Sequence, residues 1–456
     1  MLNRLFITLL TICISDVLFV HKVYGQTPFE NWAEQMVTND ENTYQWENLS
    51  EDLAEWKENP LNINQPTRSD LQKFPFLTDK MIDNLLLYVS KNGAMLSTNE
   101  LWLVRDMNNQ VYNFLLPFIY VGPGLEKKEK LSWKRIWKYS KQEVSTRFQL
   151  PLQTKVGYSP CSKEEWEENP NKRYLGYATY HNIRYRFQYK DKIYAGLTAE
   201  TDAGEPFFVA PNQKGYDFYS PYLFIRNLGK INALALGNYR LSYGYGLVMN
   251  TDFGMGKTTM LSTFSNRVKG IKKHSSTDEY NYFQGGALSY KLSHRWTADV
   301  FYSYRKMDGV VEDRFITSLK KDGLHRVFRD FEKRNTFSNQ LIGSNIDYNG
   351  KFINLGLTAV YNSFNKVLNP AERYYNTYYP RGRDFFNVGA NYKFFWKNWI
   401  LSGETALDKK GKLATLNMLS YSPKIGTNLV HPTFRVMRQS CRANNRSLKY
   451  FSSLNP

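Results

Sequence analysis

Phe386-Asn387-Val388-Gly389-Ala390-Asn391-Tyr392-Lys393-Phe394 alternates without a break. Phe386, Val388, Ala390, Tyr392 and Phe394 fall on one face, and Asn387, Gly389, Asn391 and Lys393 on the other. A period of two is the mark of a β-strand with two unlike faces. The pattern recurs upstream. Val144, Thr146, Phe148 and Leu150 alternate with Glu143, Ser145, Arg147 and Gln149. Ile183, Tyr185, Phe187 and Tyr189 alternate with Arg184, Arg186, Gln188 and Lys190. Trp296, Ala298, Val300, Tyr302 and Tyr304 stand opposite Thr297, Asp299, Ser303 and Arg305. Roughly ten to twelve such segments occur over 143–422, many near the ~9–11 residues of a membrane-crossing strand.

The connections are unequal. Tyr348-Asn349-Gly350-Lys351 is a strong hairpin signal, and Lys190-Asp191-Lys192 and Lys409-Lys410-Gly411 are weaker ones. Polar stretches at 203–217, 251–280, 306–338 and 363–383 read as long loops. Short turns at one end and long loops at the other are the outer-membrane pattern. Alternation alone is shared by a soluble β-sandwich. Two features favour the barrel. Aromatics make up 16% of the chain, as interface girdles require. The chain also opens like an exported protein: Met1-Leu2-Asn3-Arg4, an apolar run over 5–20 broken only by Asp16, then Val23-Tyr24-Gly25 with small residues at −3 and −1. Residues 1–25 are therefore expected to be a signal peptide. No later apolar run is long enough for a membrane helix, so a spanning structure must be a closed barrel.

The net charge is +18, and +17 without Arg4, Lys22 and Asp16 of the leader. That suits anionic partners: outer-membrane lipid, lipopolysaccharide or nucleic acid. Beyond the leader only Cys161 and Cys441 remain, too few for a disulfide scaffold. Residues 26–59 form an acidic lead-in bearing Trp32, Trp46 and Trp56, read as surface helices. Residues 123–142 form a basic aromatic linker (Lys127, Lys128, Lys130, Trp133, Lys134, Arg135, Trp137, Lys138). From 423 to 456 the alternation fades, Asp and Glu are absent, and Lys424, Arg435, Arg438, Arg442, Arg446 and Lys449 occur. This stretch reads as a basic tail outside the barrel, which would then be truncated and left with an unpaired edge.

Residues 60–122 read as helical. Thr67-Arg68-Ser69-Asp70 and Ser97-Thr98-Asn99-Glu100 are capping boxes. Thr78 caps a second helix, with Ile82, Leu85, Leu86 and Val89 on one face and Gly93 at its end. A third short helix carries Leu101 and Val104, and a fourth runs over 108–116 up to Pro117. With the Asn62-Ile63-Asn64 entry and the Leu71…Phe74-Pro75 turn, this segment resembles the tandem helix-hairpin-helix domain of competence-type DNA receptors over roughly 55 residues. The resemblance implies duplex binding through the hairpins, with Arg68, Lys73, Thr78, Lys80, Lys91 and Arg105 as candidate DNA contacts. Family turns of the type Leu-Pro-Gly-Ile-Gly and Val-Pro-Gly-Ile read here Phe74-Pro75-Phe76-Leu77-Thr78 and Val104-Arg105-Asp106-Met107. The glycines that admit a phosphate are gone, and Asp106 stands where one would sit. A structural or docking role, toward periplasmic proteins for example, is the favoured expectation, with DNA uptake second.

The pairing of such a module with a long β region resembles a family of Gram-negative envelope proteins. Leu236-Gly237-Asn238-Tyr239-Arg240-Leu241-Ser242-Tyr243-Gly244-Tyr245-Gly246-Leu247-Val248 looks like a segment of that family, and the resemblance extends to about residue 422. It implies an α+β multidomain chain, a small all-α module in the periplasm followed by an antiparallel all-β transmembrane region, and an outer-membrane location. A pore or ligand-capture role is the remaining alternative. Chemistry is not signalled. Gly254-Met255-Gly256-Lys257-Thr258 lacks the first P-loop glycine, position 251 being Thr. His181, His274, His294, His325 and His431 are scattered, no Gly-x-Ser-x-Gly elbow occurs, and Glu164-Glu165 read as surface acids. The expectation is a non-enzymatic protein without cofactor or metal.

Overall fold

The computed structural model describes residues 52–66, 68–71, 73–74, 76–77, 79–123, 132–251, 270–350, 352–376, 379–396, 399–421 and 434–441. The leader, most of the acidic lead-in, Thr67, Thr78 and the P-loop-like 254–258 lie outside the described residues.

The helical unit assembles from helix α1 (residues 52–58), strand β1 (Leu61–Asn62), helices α2 (Arg68–Leu71) and α3 (Asp79–Asn92), a 3₁₀ turn over Thr98–Leu103, helix α4 (Asn109–Leu115) and strand β2 (Ile119–Tyr120). Its core joins Leu53, Ile63, Leu71, Phe74, Leu77, Ile82, Leu85, Leu101, Val104, Phe114 and Phe118, with Leu86 and Val89 packed beside them. The apolar face of α3 is thus the one its spacing predicts. Ser97 and Glu100 form the expected capping box. Gly93 closes α3 at φ +87°, its N–H donating to the Val89 carbonyl. Asn64 ties the unit together: its amide donates to the carbonyls of Met95 and Gly122 and its carbonyl accepts from the Met95 N–H, at 2.7–2.9 Å. The division expected at residue 59 is not a structural one. Leu53 of α1 lies in this same core, and Trp56 packs edge-on against Phe74 at 5.4 Å.

Helix α5 (Trp133–Lys138) and strand β3 (Lys141–Gln149) follow, so the strand begins inside the expected linker. Further on come helix α6 (Lys163–Glu168) and strands β4 (Tyr180–Tyr189), β5 (Ile193–Thr201), β6 (Phe218–Leu228), β7 (Ile231–Ser242), β8 (Gly270–Lys273), β9 (Phe283–Lys291) and β10 (Trp296–Met307). The expected loop 306–338 carries structure of its own: strands β11 (Gly309–Glu312) and β12 (Phe315–Leu319) and helix α7 (Phe328–Glu332). Strands β13 (Phe337–Asn349), β14 (Ile353–Leu368), β15 (Gly382–Trp396), β16 (Trp399–Asp408), β17 (Leu413–Tyr421) and β18 (Phe434–Cys441) complete the sheet. The main path runs β3-β4-β5-β6-β7-β9-β10-β13-β14-β15-β16-β17-β18, with all neighbours antiparallel. The three hairpins marked in the sequence are all present. Gly350 donates to the Ile353 carbonyl, Lys190 turns at φ +51° and Gly411 at φ +70°.

Two expectations are corrected. Strand pairing does not stop at 422: β18 lies along β17 from Tyr421↔Phe434 to Ala414↔Cys441. Pairing is a backbone affair, and the free edge of β17 recruits a segment with little alternation. Nor is the sheet closed among the described residues, since β3 and β18 each have one neighbour and do not pair with each other.

The two faces are unlike: the exposed one is largely apolar, and the buried one mixes polar side chains with an apolar core. On β10, Val300 is 53% exposed, beside Trp296, Tyr302 and Tyr304, while Asp299, Ser303 and Arg305 are buried. Ile342, Ile346, Leu357, Tyr361, Phe386, Phe394, Leu401 and Leu419 continue the exposed apolar face across β13 to β17. Asn345, Thr358, Asn362, Asn387, Asn391 and Glu404 continue the buried polar one. The buried face curls around a shared core. Residues 243–249, which leave β7, pack with Phe301, Leu341, Val360, Ala406 and Leu416, from strands as distant as β17. Glu404 on β16 fixes this inserted segment, its carboxylate accepting from the N–H groups of Tyr245 (2.6 Å) and Leu247 (3.1 Å).

Candidate functional site

Helix α1 sets the first site. Asp52, Glu55 and Glu58 recur at i, i+3 and i+6, which puts them along one side of a helix. That side faces the sheet. Arg240 at the end of β7 donates to Asp52 at 3.0 Å, Lys273 at the end of β8 to Glu55 at 2.7 Å, and Lys141 at the start of β3 to Glu58 at 2.9 Å. Gln188 of β4 donates to Asn59, and Arg226 of β6 approaches Asp70 at 3.9 Å. Lys273 also lies over the rings of Tyr194 and Tyr222, at 5.1 and 5.6 Å from their centroids. The Arg240 side chain is only 5% exposed. Burial alone would raise the Glu55 carboxyl, but the charges of Lys273, Arg226 and Lys73 outweigh it and hold it below the usual carboxylate range. The surface helix expected of the lead-in thus turns part of its acidic side, Asp52 and Glu55, onto basic side chains of the sheet.

The second site lies among the loops. His325, in the connection between β12 and β13, donates through its backbone N–H to Glu205 (2.7 Å). Its ring contacts Asp217 through Nδ1 (2.6 Å) and Asp308 through Nε2 (2.9 Å). Arg334 adds an ion pair to Asp217 at 2.8 Å. Burial pulls the imidazole down, yet the two carboxylates prevail and raise it to about 9, so it is an imidazolium at neutral pH. Glu205 moves the other way from its ordinary range: burial, then the charges of Asp217 and Asp202, push it up to about 8. Ligand atoms of Glu205, Asp217 and His325 lie within 4.8 Å of one another, metal-like proximity. Both ring nitrogens are nevertheless spent on carboxylates, so the arrangement is a charged clamp joining three loops. Partners 17, 108 and 120 residues away leave no spacing motif, which is why sequence inspection misses it.

The candidate DNA contacts are dispersed. Lys73 pairs with Asp70 at 3.1 Å and sits near Arg226 on the sheet side. It therefore does not belong to an open phosphate surface. Lys91 and Arg105 are exposed. The side chains of Arg68 and Lys80, and Thr78 altogether, lie outside the described residues. The turn at Arg105-Asp106 is locked by Asn84, whose amide donates to the Arg105 carbonyl and the Asp106 carboxylate, both at 2.9 Å. Among the described residues, sequence reasoning thus missed the basic wall and the histidine clamp.

No protein-family model matches this chain, and no curated protein matches it. Solved structures similar to parts of it include an anion-selective porin from Comamonas acidovorans, at 13% identity over 56% of this chain and 77% of that one, TM-score 0.24. Another is OmpT, an outer membrane protein of Vibrio cholerae, at 10% identity over 67% and 91%, TM-score 0.24. Superposition that poor transfers neither fold nor activity.

Proposed function

We propose that this chain is a non-enzymatic envelope protein whose sheet crosses an outer membrane with its apolar face toward lipid, and whose N-terminal helical unit has a structural, docking role against the sheet. The contrast between the two faces carries this reading. Water-exposed Val, Ile, Leu, Phe and Trp repeated on strand after strand, over buried Asn, Ser, Thr and Asp, make no sense against water and follow directly from a hydrocarbon solvent. In lipid, unpaired strand edges are costly, so the seam between β3 and β18 needs a partner in the membrane. At the second turn of the helical unit Asp106 adopts φ +69°, a backbone conformation open to glycine and tolerated by Asp.

Bimane attached at Val300→Cys, in protein reconstituted with brominated lipid, is expected to be quenched, while the label at Asp299→Cys is not. Equal quenching at both positions refutes lipid facing. Duplex binding in uptake is the competing reading. An electrophoretic shift of the whole protein that is salt-sensitive at micromolar concentration, and weakened by Lys91→Ala with Arg105→Ala, would favour it over docking.

A further inference from the structure

We propose that the basic wall formed by Arg240 and Lys273, flanked by Lys141, is an anion-binding site, and that the acidic side of α1 is its built-in occupant, making the N-terminal helical unit a displaceable plug. The inference deepens the docking role above and rests on it.

Three observations carry it. First, the charges match as a ladder. Three helix acids one turn apart, each roughly 4.5 Å along the axis from the next at 1.5 Å per residue, meet three cations from three strands at 2.7–3.0 Å. Second, two of the cations are preset. Lys273 is bedded between two tyrosine rings, and the Nε of Arg240 donates to the Lys273 carbonyl at 3.4 Å. Such groups keep their places when the carboxylates leave, and a buried cation left without an anion is costly. Third, the apolar cores are separate. Among the described residues, the core of the helical unit contains no residue of the large sheet, and the core of that sheet contains no residue of the helical unit. The unit therefore keeps its own apolar core, and polar contacts hold it to the sheet, ion pairs together with the Gln188–Asn59 hydrogen bond; such contacts are open to competition by anions, and the exposed Lys141–Glu58 rung is open to salt as well. The matching ligand class is a compact multivalent anion bearing several phosphate or carboxylate groups a few ångströms apart.

The test uses the whole protein in detergent micelles with a fluorescent label at Leu87→Cys, an exposed position on α3. Tripolyphosphate and citrate serve as the probes, with chloride at matched ionic strength as the control. Expected results are that tripolyphosphate or citrate raises label mobility well beyond what chloride does at matched ionic strength, and that Asp52→Asn with Glu55→Gln tightens probe binding about tenfold by calorimetry. Lys273→Gln should loosen the label and weaken probe binding together. The exchange Glu55→Lys with Lys273→Glu should restore wild-type mobility if the pair itself is the latch. A mobility that ignores both probes and salt, or probe affinities unchanged in the neutralised variant, overturns the proposal. Misfolding of a single variant does not shelter it, because the salt and probe titrations need no substitution. Quenching of the Val300→Cys label is scored in parallel, in protein reconstituted with brominated lipid. Loss of quenching with probe-driven release retained sinks the membrane reading alone, and the reverse sinks the plug alone.

Discussion

Val300→Arg puts a charge in the middle of the exposed apolar face. Val300 is the fifth of twelve residues of β10, opposite Leu288 on β9 and Ser344 on β13. In a water-soluble sheet, an exposed position more than half open to solvent should accept arginine within about ±0.5 kcal/mol. At the midplane of a bilayer the same change costs about 2–4 kcal/mol, falling to about 0–1 near the interfaces. Leu292→Arg is the control: Leu292 is exposed too but sits in the β9–β10 turn. The two solvents thus predict different gaps between the variants, about 2–3 kcal/mol in lipid and near zero in water. That gap corresponds to about two orders of magnitude in the folded-to-unfolded ratio, at about 1.4 kcal/mol per decade. Urea titration of protein folded into phospholipid vesicles, followed by tryptophan fluorescence, measures both variants. Should Val300→Arg and Leu292→Arg shift the transition alike, the lipid-facing assignment of the β10 face is wrong.

Other expectations follow from the interior and the loops. Glu404→Ala strips the Tyr245 and Leu247 amides of their acceptor and should cost about 2–6 kcal/mol, with Glu404→Gln costing less because one oxygen remains; denaturant midpoints read this directly. His325→Asn should destabilise the loop clamp by roughly 3 kcal/mol near pH 6. The sign is fixed by the upward shift: the imidazolium's contribution is complete below the ordinary value near 6.5 and is lost as pH rises through about 9, so wild type and variant should converge in alkaline thermal melts. For the seam, the purified monomer in detergent is expected to run identically on gels with and without boiling and to lose β3 to protease. A heat-modifiable band would show that the two edge strands pair after all.

What the sequence displays is what repeats. Alternation over 296–304 and 386–394 places the strands and sorts their faces, because one side-chain period acts on every residue. The Asn-Gly turn after β13 and the capping box at Ser97 are legible for the same reason, each being settled within four residues. β18 is not legible, because an edge strand is recruited by the neighbour's free backbone and owes little to its own side chains. β11 and β12 hide within a polar stretch that pairs through main-chain groups and a parallel contact with the end of β14.

The ion pairs between α1 and the sheet show most clearly where reading along the chain fails. Asp52 and Arg240 are 188 residues apart, and nothing in either neighbourhood names the other. The charge itself is legible: an acidic lead-in ahead of a basic remainder. Taken locally, acids on a short helix belong to water, the ordinary solution for a solvated face. Taken together with a sheet that presents Arg240 and Lys273, the same acids supply the counter-charge. They stand about one turn apart on α1, away from Leu53 and Trp56, which join the core of the helical unit. Excess charge of one sign on a short helix before a β region of the opposite sign is thus information about an intramolecular contact. It becomes readable once the faces of the strands are assigned, since only then is it known which cations are withdrawn from water and require a partner.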